Sequence, residues 1–333
     1  FPKDGDALPI TYFLTRIVNR YPNLKKFEIS TAYPNYGVFN EDSKKCVLFT
    51  HGHYIEPLYM MMSKLRTLVF PDTDMPDTVQ KIEEQNFAWI DFFWSSMGRS
   101  GAVGEDVELI YDKLQDPEEL KKLLKNLPHG IAVNYGREGW FADKVEETTL
   151  ALVFNGLVNA FDGTERGKPS ELLSKDARAG LWKYVQGPLY KELTHELSTK
   201  PQEMSIVFGH THKPFSRDET FQNYSHWVNV YNSGGWVVDT PDTKPIHGGA
   251  VILIDEELNA ASLRMYNEAE LFGDYQVKVE CAIYGSEEPN DLTKTVAAMI
   301  KNDQDPWRAF STATARAVDV RHKNLYAKIH SKV

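Results

Sequence analysis

The spacing of apolar positions changes several times along the chain, and each change predicts an element. Ile10, Phe13, Leu14, Ile17 and Val18 recur at helical spacing over residues 10–20, and Pro22-Asn23 marks the turn that follows. Short strands are expected around Phe27–Ile29 and Tyr36–Phe39. Cys46-Val47-Leu48-Phe49 is apolar on both faces, as in the centre of a layered sheet, and stops at Thr50-His51-Gly52-His53. Residues 55–200 then read as mostly helical. Leu58–Phe70 runs to Pro71, and Asp77–Met97 begins beyond Pro76 with Asp77 as its N-cap. Glu118–Leu127, Val145–Phe161 and Ser174–Leu197 follow, the last two separated by a polar loop at Asp162–Ser170. A second buried strand, Ser205–Phe208, ends in Gly209-His210-Thr211-His212. Trp227–Tyr231 and Ala250–Asp255 are further strands, with a tight turn at Asn232-Ser233-Gly234-Gly235 between them. Leu292, Val296, Met299 and Ile300 predict an amphipathic helix, followed by a basic tail.

Composition narrows the class. With 333 residues, 42% hydrophobic and 25% charged, the chain can bury a sizeable globular core. A formal net charge of −10, from 37 basic and 47 acidic residues, argues against broad nucleic-acid binding, which needs a basic footprint. It does not exclude a phosphorylated substrate, because a bound metal inverts the local field. Cys46 and Cys281 are the only cysteines, so no disulfide framework is expected and a reducing, cytoplasmic setting is the default. No stretch approaches the roughly 20 apolar residues that span a bilayer, which leaves only peripheral membrane contact open. The opening Phe1-Pro2-Lys3-Asp4-Gly5-Asp6 is neither an initiator methionine nor a signal peptide, and reads as the interior of a longer protein.

The histidines carry the chemistry. His51, His53, His210 and His212 are four of the ten in the chain, and they sit in two His-x-His tripeptides that each follow a buried strand. Ligands of layered α/β proteins usually bind at the C-terminal ends of strands. Glycine beside the histidines lets the backbone turn sharply. Imidazole suits divalent transition metals, and two such ions about 3.5–4 Å apart suit in-line phosphoryl hydrolysis. The plainer alternative is a set of hydrogen-bonded histidines in turns. One His-x-His would favour that alternative; two, each after a β-like run, favour a metal site.

At these residues the sequence resembles the calcineurin-like metallophosphoesterases. Gly209-His210-Thr211-His212 is similar to the family's last metal motif, and Thr50-His51-Gly52 to its preceding histidine motif. Val230-Tyr231-Asn232-Ser233-Gly234 resembles the segment that follows. The resemblance covers about 1–65 and 203–266. It implies an α/β fold, part of a two-sheet α/β/β/α sandwich, with two divalent ions (Mn, Fe, Zn or Ni, with Mn favoured). It also implies His51 and His210 on one metal and His212 on the other. His53 lies beside the motif and is the catalytic candidate, facing substrate or supporting the ligands. The family's earlier Asp-x-His, Gly-Asp and Asn-His-Asp/Glu motifs have no counterpart before His51, and Gly5-Asp6 reads as a loop. The expectation is therefore a chain that lacks its N-terminal portion. As it stands, it should hold metal weakly, because affinity follows ligand number and preorganisation.

The long span between the histidine loops resembles the helical cap of UDP-diacylglucosamine pyrophosphohydrolases. The implied organisation is a core segment at 1–54, a helical insertion at 55–203, a second core segment at 204–280 and a helical extension at 281–333. Phe87, Trp89, Phe92, Phe93 and Trp94 make one helix apolar nearly all round, which suits burial in a core or a groove for an acyl or aromatic group. Gly98-Arg99-Ser100-Gly101 follows, where Arg99 and Ser100 are substrate-binding candidates able to cradle a phosphate, or simply part of a C-cap and hinge. His129, Arg137 and His195 are weaker candidates, and Asp255, Glu256 and Glu257 read as a solvated turn.

The leading expectation is metal-dependent hydrolysis of a bulky phosphoester or pyrophosphate, such as a nucleotide, sugar or lipid phosphate. The alternative from another class is a non-catalytic scaffold with an incomplete metal site. A mononuclear zinc hydrolase would need His51, His210 and His212 to converge at about 2.0–2.1 Å from one ion.

Overall fold

The two apolar runs that end in histidine loops become neighbours in one sheet. The computed structural model describes residues 1, 8–70, 72–97, 171–238, 240–283 and 288–330. The chain divides into two compact units, one formed by Phe1–Gly52 with Glu196–Val333 and one by His53–His195. The second unit is thus inserted into the first.

The first unit is mixed α/β with two sheets. Strands β1 (Asn35–Asn40), β2 (Lys45–Thr50), β3 (Glu203–Phe208), β4 (Phe215–Glu219) and β5 (Val228–Asn232) form a five-stranded sheet in the order β1-β2-β3-β5-β4. The three central strands are parallel, and β1 and β4 close the edges antiparallel. Cys46, Val47 and Leu48 of β2 and Met204 to Phe208 of β3 are buried, which is why these runs read as unbroken apolar stretches rather than alternating ones. Strands β6 (Gly248–Ile254), β7 (Ala260–Asn267) and β8 (Lys278–Glu280) make a three-stranded antiparallel sheet.

One core cluster contains Val47, Val207 and Tyr231 of the larger sheet and Ala260 of the smaller, with Phe49, Ile252 and Ile254 packed on it. Val47 and Phe49 share a face of β2 because strand side chains alternate. The Tyr231 hydroxyl donates to the Ala260 carbonyl at 3.2 Å and accepts from the Ala282 amide at 3.1 Å, so a buried polar tip is satisfied at both valences. Burial pushes the Tyr231 phenol up to about 12.

Helix α1 (Tyr12–Val18) lies where the periodicity places it, yet none of its residues is buried. No strand forms at 27–29; Ser30 makes only an isolated antiparallel bridge to Ile10. At the other end, the segment read as a basic tail is a long helix, Gln304–His330, preceded by the expected amphipathic helix Asp291–Asn302. Asn290 caps the latter, its side chain accepting from the Thr293 amide at 2.8 Å.

In the second unit, α2 (Met61–Val69) and α3 (Val79–Met97) meet through a polar contact. Asn86, fully buried, donates to Ser63 Oγ at 2.7 Å and accepts from the Ser63 amide at 3.2 Å. Asp77 is not the cap of α3. Thr78 Oγ1 accepts from the Lys81 amide at 3.3 Å, while Asp77 pairs with Lys81 and Lys191 at the surface. The span read as one helix from Ser174 begins at α4 (Lys175–Tyr184), capped by Ser174, and continues as α5 (Tyr190–Glu196). A π turn at Val185–Leu189 separates them, where Pro188 lacks the amide that a regular helix would use. In order, the helices at Asp291–Asn302 and Gln304–His330 are α6 and α7.

Candidate metal centre

The parallel pairing of β2 with β3, in the register Phe49 to Val207, brings both strands out at the same end of the sheet. The Gly209 amide donates to the His51 carbonyl at 3.4 Å, and the rings of His51 and His210 stand 5.1 Å apart at 60°. Two imidazoles separated by about half of the chain are therefore side by side. His51 is exposed, and His210 and His212 are half-buried, with His210 Nε2 itself turned away from solvent.

The second loop is held in a rarely populated conformation. His210 has φ 44° and His212 φ 59°, both in the left-handed region, which costs roughly 1 kcal/mol or more per non-glycine residue and tends to persist where a site over-determines it. Asn232, at the end of β5, supplies the determination. It is fully buried, its amide nitrogen donates to Thr211 Oγ1, and its Oδ1 accepts from the Gly234 amide at 2.9 Å. The Ser233 amide donates to the Phe208 carbonyl at 2.8 Å, fastening the β5 turn to the end of β3. The His212 ring lies on Gly235, where an added Cβ would stand 1.9 Å from His212 Cδ2. The His212 carbonyl accepts from the Gly248 amide at 3.4 Å, which ties the loop to the start of β6.

The first loop is built differently. Gly52 has φ 95°, and a Cβ there would approach Phe208 Cδ2 at 2.8 Å, so glycine is required for both conformation and space. His53 lies beyond it, 2% exposed, in a 3-10 turn. Its ring stands 3.9 Å from that of Tyr54 and 5.7 Å from that of Tyr59. The structure thus brings His51 and His210 together, sets His212 on the adjoining turn, and places His53 in a tyrosine cluster.

Arg99, Ser100, His129 and Arg137 lie outside the described residues. His195 is exposed at the end of α5. On α3, Phe87 is 50% exposed and the Trp89 indole donates to the Leu58 carbonyl at 3.3 Å, so the aromatic run is not wholly core. A cavity of about 260 Å³ in the second unit is walled by Tyr54, Met60, Ile82 and Tyr184, with Lys64 and Lys183 at its edge. Burial, reinforced by Lys183, holds the Lys64 ammonium below its usual pKa.

Sequence reading missed Thr211, Asn232 and Gly235 as parts of the site. Asn232-Ser233-Gly234-Gly235 carries a visible turn signal, but the partner that Asn232 grips is set by the sheet, not by its neighbours.

Imidazole donors such as His51 and His210 suit a divalent transition ion in donor type. Among the described residues, the carboxylate that a dinuclear site needs does not join them. Among the described residues, no group of three or more His, Cys, Asp or Glu side chains is arranged to hold a metal ion. Among those residues, too, no helix is long and apolar enough to cross a membrane. Comparison with family models, curated proteins and solved structures found no match.

Proposed function

We propose that the two strand-end loops are the imidazole-donating part of a metal centre for hydrolysis of a phosphoester or pyrophosphate. The observation that carries this reading is the 5.1 Å approach of the His51 and His210 rings at the ends of adjacent parallel strands. In this reading the five-stranded and three-stranded sheets are parts of the two layers of a metallophosphoesterase-type sandwich. His51 and His210 hold one divalent ion and His212 serves its neighbour. Such ions, when bound, activate water and offset charge on the phosphoryl oxygens. The chain's own contribution is to present the imidazoles in a fixed array at the strand ends. Asn232 and Gly235 position His212, and Gly52 frees the backbone beyond His51. The proposed substrate is bulky, because the chain devotes residues 53–195 to an insertion.

A second reading has its own observation. With no third protein ligand beside the imidazole pair among the described residues, a scaffold that binds metal weakly and does not hydrolyse also fits. Calorimetric titration with Mn²⁺ and Zn²⁺, alongside turnover of a nitrophenyl phosphodiester, separates the two. The hydrolase reading expects metal-dependent turnover, with metal binding weakened by His51→Ala or His210→Ala. Metal binding without turnover selects the scaffold. Binding unchanged in both variants removes the metal centre altogether.

A further inference from the structure

Helix α7 changes character along its length. Ser311, Ala315 and Val318 lie on one face and are buried, and the last two join a core cluster with Val238, Tyr266 and Tyr275. One to two turns earlier, the same face carries Gln304 and Arg308 beside Trp307, a stripe with polar groups where a core-facing helix is normally apolar. That stripe borders a cavity of about 760 Å³. Its lining also includes Val277, Val279 of β8, and Ala297 and Ile300 of α6. Phe272 and Tyr275 add aromatic surface, and Lys301 adds a second cation to Arg308.

The size falls within the roughly 300–1,000 Å³ typical of small-molecule sites, and the lining mixes an apolar wall with a few polar groups, as such sites do. Charge gives the selectivity. The chain as a whole carries −10, yet the lining holds Lys301 and Arg308 and no carboxylate. Arg308 is steadied by donating to Gln304 Oε1, so its guanidinium is held on the cavity side of the helix with donors to spare. Three aromatic residues in the lining, Phe272, Tyr275 and Trp307, suit a planar ring better than a flexible chain. We propose that this cavity between α6, α7 and β8 binds a small aromatic anion, a planar ring bearing one phosphate or carboxylate, with Arg308 and Lys301 taking the anion. The site uses none of the histidine loops and stands or falls separately from the metal centre.

The test is calorimetric titration of the full 333-residue chain in EDTA with naphthalene-1-phosphonate, which no phosphoesterase activity can hydrolyse. Saturable one-to-one binding is expected. Replacing the phosphonate with neutral naphthalene-1-methanol should weaken it at least about tenfold, as should Arg308→Ala, because each removes a charge-assisted contact. Lys301→Ala should weaken it by a smaller factor, and inorganic phosphate alone should bind far more weakly than the aromatic probe. Both variants alter exposed residues and should keep the circular-dichroism spectrum of the parent chain. His210→Ala should leave the affinity unchanged. Absence of binding at millimolar probe, equal affinity for the alcohol, or full affinity in the Arg308→Ala, Lys301→Ala double variant each overturns the proposal. Loss of binding in His210→Ala overturns it as well, by moving the probe to the other site.

Discussion

The two His-x-His tripeptides look alike in sequence and are built in opposite ways. In His51-Gly52-His53 the glycine, at φ 95°, lets the chain swing away, so that one histidine stays at the strand end and the next is buried against Tyr54 and Tyr59. In His210-Thr211-His212 it is the histidines that take positive φ, and the threonine between them is gripped by Asn232. The middle residue fixes each loop by its own means, a glycine's freedom of φ in one and a hydrogen bond to Asn232 in the other. A motif is therefore a statement about spacing, and the hydrogen bond made by its least conspicuous member completes it.

The comparison breaks most sharply at Asn232. Asn232→Ala leaves the Gly234 amide and Thr211 hydroxyl without their buried partner, and should cost about 2–4 kcal/mol in urea unfolding. It should also weaken metal affinity, because His210 and His212 lie on the loop it loosens, while leaving the conformation of the first loop intact. A loss below about 0.5 kcal/mol would mean that the loop is held by its other contacts. Gly52→Ala should cost less, about 1–2 kcal/mol, from the positive φ and the Phe208 contact together. Its signature is a selective loss at the first loop, read as a shift of the His51 imidazole resonance with His212 unmoved.

The histidines themselves sharpen the contrast. His51→Ala should weaken Mn²⁺ or Zn²⁺ binding by about tenfold or more, whereas His53→Ala should leave it within roughly twofold and lower stability instead, because His53 packs on tyrosines. Equal metal losses in the two variants would place His53 among the ligands.

The smallest effect is one of pH. The phenol of Tyr231 is raised from 10.0 to about 12, so the folded state holds its proton more tightly than the unfolded state does. The resulting stability is fully present below pH 10 and is lost as pH rises towards 12. Cys46, raised from 9.0 to about 12 by burial, acts in the same direction from pH 9 upward. Tyr231→Phe should flatten the fall in stability between pH 10 and 12 relative to the parent chain. An identical slope in both would assign the alkaline loss to other groups.

Much of this was legible before any coordinate. Cys46–Phe49 and Ser205–Phe208 announce buried parallel strands because both faces are covered, and their adjacency follows from the histidine loops they share. Strand β7 was not legible: in Ala260-Ala261-Ser262-Leu263-Arg264, small and polar residues are buried only because β6 and β8 flank them. Strand β4 hides behind Arg217-Asp218-Glu219, where an ion pair of 2.7 Å between Arg217 and Glu219 occupies one face of an edge strand. Helix α7 read as a tail because the face it turns to the cavity is polar, so its periodicity carries little apolar signal. Asn232 reads as turn composition, since nothing local reveals a partner in the loop after β3.

The insertion between β2 and β3 has a consequence for how the chain folds. Parallel neighbours cannot be joined by a hairpin, so residues 53–195 are the crossover itself. Pairing Phe49 with Val207 closes a loop of about 160 residues, whose entropic cost must be met before β2 and β3 gain their contacts. A crossover that has already condensed behaves as a much shorter tether. The sequence of events is then set by connectivity: pulsed hydrogen exchange during refolding should protect amides of the inserted unit before those shared by β2 and β3, and simultaneous protection would show a single cooperative step. On this account the imidazole pair, which lies just past the last rung of that ladder, is the final feature to assemble and the first to come apart.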